Sequence, residues 1–579
     1  MSGELAWPQV GLRSPDEVMQ LDRMGAFFPT RLSFMRSLIR DLDADGCQVT
    51  RPVWEIDDDG YGRAVYAVDF GGHTYSLVAF STPLAPEDRT DRVIAQAWDS
   101  SYVLFDGVPG PAEIDRLADA APRQEAARFE PVDLILSRAN RSVRLFDHVI
   151  EQLALGHQPD PDMIRSIGYL MRTTAVYANG KFGIADRNRY ADRPLMDHPF
   201  RAEMLTVWLI RGFTMDLVEH IAARRSPAAA VTLERRLRRY LGIGNATGLG
   251  MAPFLISHPI LINNWMLVRE TALARVRALP AADPGSRQRF RQLAARVGLH
   301  LDQWQVEDER QASRIDVLRR EWADLQELIG DRWWDEPRPW DRLVELSQDR
   351  SLECQELVVA AVLEPHPDVV DGLTSCMTSG VEPTLAPAMT LDELRRLIEA
   401  QWDWAIALDF DDPSEAARFW YVSEDNLEPR LGNRHLDDGA ELEEPLDVAR
   451  RVKALHQDLL HRPRPTAGSE PLATFLLAKP HHRYAARRVQ TLADHPYSEI
   501  RANLIGERCL PIDMLRAKLS LFGAAKFDPK SDLWTRVALY QGAPLADEVG
   551  AAARSGADSG GRRPGFDCDD WWLPVLEPR

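Results

Sequence analysis

Two spacings of apolar positions divide the chain. Between residues 52 and 105, short runs rich in Val, Tyr and Phe (Pro52–Ile56, Ala64–Phe70, Thr74–Ser81 and Tyr102–Phe105) are punctuated by Asp59-Gly60 and Gly71-Gly72. Runs of this length with glycine turns between them predict an antiparallel meander. The apolar positions of Ala64–Phe70 do not alternate cleanly, which suits a strand covered on both faces. Upstream, Ser14-Pro15-Asp16-Glu17 reads as a capped helix start leading into a helix through Leu32–Leu42. Residues 1–125 are therefore expected to form a small α+β domain.

From Asp133 the spacing becomes helical. Leu134, Ile135, Val143, Leu145, Phe146, Val149, Ile150 and Leu153 fit one or two helices ending near Gly156. Further helices are predicted at Met163–Tyr177, Pro199–Arg224, Thr232–Leu241 and Ala252–Leu279, the last bent at Pro259 because proline removes a backbone donor. Ile315, Leu318, Trp322, Leu325 and Ile329 recur at three- and four-residue steps, a narrow seam for packing within the chain or between subunits. The Trp- and Pro-rich stretch 333–340 closes a central helical domain, 126–335, and a second helical domain follows at 336–461. Residues 462–470 (RPRPTAGSE) make the best linker, ahead of a C-terminal helical region at 470–550. Residues 551–579 form a tail expected to be disordered until Asp569-Asp570-Trp571-Trp572-Leu573, an apolar anchor for the body or a neighbouring subunit. The expected fold class is thus mainly α and multi-subdomain, with a small N-terminal antiparallel β-sheet (α+β).

Composition narrows the function classes. At 579 residues, the chain is longer than one core usually supports, and 45% apolar with 27% charged residues describes an ordinary globular protein. A formal charge of -19 opposes a general role on nucleic acid or anionic membranes, so neither is expected as a partner. The five cysteines are scattered and show no CxxC spacing, which argues against a disulfide framework and for a reducing cytoplasm. No signal peptide is recognisable, and charged or polar residues interrupt the two most apolar windows.

The strongest candidate for chemistry is Gly242–Trp265, GIGNATGLGMAPFLISHPILINNW. Read as a loop between a basic helix and an apolar one, it places Gly244, Asn245, Thr247 and Gly248 beside unpaired helix N–H groups, a setting for a phosphate or carboxylate. The alternative is a tight interhelical connection whose glycines allow close packing. Ala246-Thr247-Gly248, with Met251-Ala252-Pro253-Phe254 after it, resembles a short segment of the aromatic ammonia-lyases whose Ala-Ser-Gly cyclises to an electrophile. Threonine stands where the serine would be, and no matching tyrosine-bearing loop lies upstream, so the resemblance carries no catalytic residue across.

Two other loops gather charge. Asn179–Arg189 holds Lys181 and Arg187 for an anion, and Trp420–His435 holds Glu424 and Arg430, an acid–base carboxylate beside a guanidinium. The competing reading of both is a solvated charged surface. His258 is the candidate general base. Asp216, Glu219 and His220 share one helical side, but no third and fourth ligand stands out, so no metal site is assigned. His481-His482-Arg483 with Arg487 and Arg488 reads as a helix face paired with acidic neighbours rather than as a nucleic-acid site. The expected function is a cytoplasmic enzyme of small-molecule metabolism acting on a carboxylate- or phosphate-bearing substrate. In it Lys181, Arg187, Arg430 and the glycine loop bind, while His258 or Glu424 moves the proton; no cofactor is indicated. The alternative is a non-catalytic helical scaffold, homo-oligomeric through the 315–329 seam or the C-terminal tail.

Overall fold

The computed structural model describes residues 11–83, 100–122, 128–174, 192–248, 259–378, 384–409, 419–422, 429–432, 448–462, 470–501, 513–531, 534–551 and 570–578. In chain order the strands are β1 (Gln48–Ile56), β2 (Gly62–Phe70), β3 (His73–Ser81), β4 (Ser100–Asp106), β5 (Asp133–Arg141), β6 (Tyr169–Thr173), β7 (Gly242–Gly248), β8 (Phe419–Val422), β9 (Pro429–Gly432), β10 (Phe527–Ser531) and β11 (Trp534–Leu539). Nine of them form one sheet in the order β1-β2-β3-β4-β5-β6-β7-β11-β10, while β8 and β9 pair separately. All neighbours in the large sheet are antiparallel except β6 and β7, which are parallel.

This corrects the expectation of a small N-terminal sheet in a mainly helical chain. The meander is only the first part of a substantial mixed sheet that residues 527–539 complete. β5 and β6 fall where helices were expected, because short apolar runs buried on both sides look alike in either conformation. β7 has almost no strand-forming residues and declares itself only through its partners.

The first two hairpins follow from local chemistry. Asp57 Oδ1 accepts from the amides of Asp59 (3.0 Å) and Tyr61 (2.8 Å), closing the β1–β2 turn. Gly71 and Gly72 both have positive φ (63° and 73°), as a two-residue turn matched to strand twist requires. Along β2, Ala64, Tyr66 and Val68 enter the main core, whereas Val65 enters a smaller one with Val78, Phe80 and Leu117 under the helix Pro111–Ala120. The strand is therefore covered on both faces, as its sequence suggested.

The long helix Arg201–Arg225 lies across the main-core face, with Phe213 edge-on to Tyr102 (5.6 Å) and Tyr66 (6.3 Å). Beyond it pack the helices Pro259–Arg277, Pro284–Gln303, Glu309–Leu328 and Leu352–Leu363. The 315–329 seam is used inside this layer: Ile315, Leu318, Trp322 and Leu325 are buried, and Trp322 Nε1 donates to the Ala294 carbonyl at 3.2 Å. The C-terminal anchor docks on its own chain. Trp571, Trp572 and Leu573 are buried, Trp572 Nε1 donates to the Pro29 carbonyl (2.6 Å), and Gln303 bonds both backbone groups of Leu576 (2.9 and 3.0 Å). A second core, built from residues such as Leu394, Trp402, Val452, Phe475 and Val489, holds together the helices between Leu391 and Asp494. Among the described residues no helix is long and apolar enough to cross a membrane.

Candidate functional site

The glycine stretch is a strand, not an interhelical loop. β7 pairs with β11 from Ile243 to Gly248 and with β6 at Gly242 and Gly244, so its backbone is engaged in ladders rather than held open for an anion. Its glycines answer to packing. A Cβ at Gly242 would stand 2.2 Å from the Leu539 carbonyl oxygen, and one at Gly244 would stand 2.6 Å from the Tyr169 ring. Asn245 is buried, and its Nδ2 donates to the Thr173 carbonyl at 3.2 Å. That contact fixes the amide's orientation and leaves Oδ1 without a partner.

Of the other sequence candidates, Lys181, Arg187, His258 and Glu424 lie outside the described residues. Arg430 falls in β9, opposite Tyr421. The structure therefore groups Gly244, Asn245, Thr247 and Gly248 on one strand. It also sets the ends of β6 and β7 side by side, so the chain leaves both strands toward residues 175–191 and 249–258 at the same end of the sheet.

Open space lies elsewhere, between the β1 edge and the long helix. Two adjoining cavities, about 420 and 750 Å³, share Val49, Tyr66, Asp216, Ala546 and Asp547 in their walls. Their size is that of small-molecule sites. The apolar wall comes from Trp208, Leu209, Met215, Leu233 and Leu545, and Gly212 leaves a notch where a Cβ would meet nothing within 4 Å.

Polar groups converge on Asp216. Its Oδ1 accepts from Arg238 (2.9 Å); its Oδ2 accepts from the Tyr66 hydroxyl (2.7 Å) and Arg51 (3.1 Å). Burial, reinforced by the Asp216 charge, pushes the Tyr66 phenol well above its ordinary range, so it stays protonated and donates. Arg238 also reaches Glu219 (2.7 Å), whose other oxygen accepts from the Leu233 amide (3.0 Å). Burial raises the Glu219 carboxyl, against the pull of Arg238. Trp54 Nε1 donates to His220 Nδ1 (3.3 Å), which leaves Nε2 to carry the proton toward the Asp57 carbonyl (3.0 Å). Asp216, Glu219 and His220, one helical side in the sequence, thus all have protein partners. Arg51 lies 4.4 Å over the Trp54 ring with 44% of its side chain exposed; Arg235, also exposed on the cleft, is held by Asp547 (3.0 Å) and Glu548 (2.9 Å).

The floor holds a further guanidinium. Arg211 is buried and donates to the carbonyls of Leu241 (2.7 Å), Pro544 (3.1 Å), Arg238 (3.2 Å), Arg239 (2.7 Å) and Ala543 (3.0 Å). Three of those oxygens cap the C-terminal end of the helix Arg235–Tyr240. No carboxylate is among its hydrogen-bond partners, and burial lowers its pKa to about 9.

A larger ionic cluster is structural. Arg13 forks onto Glu270 (both contacts 2.8 Å) and reaches Glu356 (2.8 Å), while Arg23 (2.9 Å) and Arg269 also hold Glu356. Both carboxylates are fully buried, and the cluster joins the N-terminal segment to the helices Pro259–Arg277 and Leu352–Leu363.

Sequence reading found Asp216, Glu219 and His220 but not Tyr66, Arg51, Trp54, Arg211 or Arg238 as their surroundings. Those come from strands and helices whose approach no local pattern announces; Gly212, a glycine inside a strongly apolar helix, was the available sign of a notch. Comparison with known proteins returns no matching family model, no matching curated relative and no matching solved structure.

Proposed function

We propose that this protein is an enzyme acting on a small organic molecule that bears a carboxylate or phosphate, bound in the cleft between β1 and the long helix. The observation that carries this reading is the pairing of an apolar wall notched at Gly212 with an accessible guanidinium, Arg51, at its polar end. The apolar part of the guest lies along Trp208, Leu209 and Met215; its anionic group meets Arg51, with buried Arg211 adding positive charge below. Asp216 is the carboxylate in position to take a proton, with Tyr66 and Arg238 orienting it. The anionic substrate expected from the sequence is kept, but its site moves from the glycine stretch to this cleft. The scaffold alternative loses both its motives, since the helix seam and the aromatic tail are covered within the chain. A reducing, cytoplasmic setting fits Cys47, Cys354 and Cys376, all free thiols.

The test is a thermal-shift and calorimetric screen of the full chain against carboxylates, phosphate monoesters and their neutral isosteres. One anionic class is expected to raise the melting temperature, and Gly212→Phe or Arg51→Ala to abolish the response while far-UV circular dichroism stays unchanged. A flat response across the panel, or one indifferent to both variants, overturns the proposal.

A further inference from the structure

In the second core, Asp458, His481 and His482 bring together one carboxylate oxygen and one nitrogen from each ring, all within 4.8 Å of one another. Asp458 lies on the helix Val448–Leu460, and the histidines lie in the turn Pro480–His482. The two histidines are neighbours in the chain; packing brings Asp458 to them. His482 is buried with its ring stacked on Phe475 (centroids 5.7 Å, planes 9° apart), which aims Nε2 at Asp458 Oδ2 from 2.7 Å. The same Oδ2 accepts from the Lys479 ammonium at 2.5 Å. A cation therefore already occupies the space in front of this carboxylate. It sits on a long side chain that is 43% exposed and free to swing into water.

We propose that Asp458, His481 and His482 bind a divalent transition-metal ion such as zinc, which displaces the Lys479 ammonium. Two imidazoles and one carboxylate form a zinc-type donor set, with remaining positions open to water. Donors on a tetrahedral zinc stand about 3.4 Å apart at bond lengths of about 2.1 Å, so the present grouping is looser than a filled site. Rotation of exposed His481 closes it, while His482 Nε2 and Asp458 Oδ2, now 2.7 Å apart in a hydrogen bond, move apart to admit the ion as Nε2 gives its proton to solvent and Nδ1 takes one up. His482 would ligate through Nε2 as the neutral ring, its proton carried on Nδ1. The ion would pin the turn Pro480–His482 to the helix Val448–Leu460, giving this smaller core a clamp stronger than the ammonium provides.

Lys479 is what separates this proposal from a plain surface ion pair. If a metal takes its place, the ammonium is a competitor, and Lys479→Met must bind metal more tightly. Isothermal titration of the full chain with Zn²⁺, and the visible absorption of added Co²⁺, provide the readouts. Expected are one equivalent bound by the unaltered protein, at least about tenfold tighter binding in Lys479→Met, and loss of binding in Asp458→Asn and in His481→Ala. His481 is exposed, so the last variant keeps its fold even if replacing buried His482 would not. Absence of stoichiometric binding in both the unaltered protein and Lys479→Met overturns the proposal. Binding that persists in His481→Ala, or that weakens in Lys479→Met, overturns it equally.

Discussion

Two glycines show how differently a missing side chain can be used. At Gly242 an added methyl meets a backbone oxygen that has no room to move, so Gly242→Ala should cost about 1–3 kcal/mol as an overpacked contact. At Gly212 it meets nothing within 4 Å inside the helix Arg201–Arg225. There Gly→Ala should raise stability by up to about 1 kcal/mol, because alanine loses less backbone entropy. Urea unfolding of the two variants checks both signs; a stabilised Gly242→Ala would mean that β7 and β11 are not in close register. These glycines were visible in the sequence, but their meaning was not. The density of glycine between 242 and 250 suggested exposed amides, whereas the clash distances belong to Leu539 and Tyr169 on other strands. Only neighbours remote in the chain decide whether a glycine makes room for a ligand or for another backbone.

Elements were legible where they are long or bracketed by turns. The helix Arg201–Arg225 lies close to its expected span, Pro199–Arg224, because an apolar run of that length without an internal proline is too long for a strand. The first four strands were equally clear, since glycine turns bracket them. β5, β6, β7, β10 and β11 were not, being short, glycine-bearing or buried on both sides. What holds the helices to one another was also hidden, since the ionic cluster joins residues more than 300 positions apart, such as Arg13 and Glu356. Burial alone would raise the Glu356 carboxyl, but Arg13 and Arg269 outweigh it and hold it well below the usual range. Glu356→Gln removes one charge and leaves guanidinium groups buried beside it, so it should cost about 3–5 kcal/mol. Denaturant titration would measure the loss; a change below about 1 kcal/mol would mean the cluster is solvated. Trp572→Ala tests the docked C-terminal segment in the same way, with an expected cost of about 3–5 kcal/mol from an emptied core position.

At the scale of the whole molecule, two buried lysines tie stability to pH. Burial lowers the Lys518 and Lys526 pKa values to about 7, and Lys526 Nζ donates to the Tyr240 hydroxyl at 2.8 Å. Unfolded, each lysine holds its proton to about pH 10.4. Between those limits the unfolded chain binds protons that the folded one lacks, so stability rises with pH above about 7, by up to roughly 1.4 kcal/mol per unit for each lysine. Below pH 7 both forms are protonated and the full penalty of burying charge remains. Lys526→Met should therefore stabilise the protein at pH 6 and flatten the rise toward pH 9. An unchanged pH profile would show that Lys526 reaches water. Glu356 acts at the opposite end: its contribution is complete above the ordinary carboxylate range and declines as pH falls toward its depressed value.

The late arrival of β11 has a consequence for how the protein is made. Trp534 pairs with Gly248, so 286 residues must be synthesised after β7 before its neighbour exists. At elongation rates of up to about 20 residues per second, that interval is roughly 14 s or longer. Throughout it the nascent chain carries an unpaired strand edge, open to a second ribosome-bound copy or to a chaperone. Messages truncated before codon 534 should therefore yield aggregates rather than a smaller soluble protein.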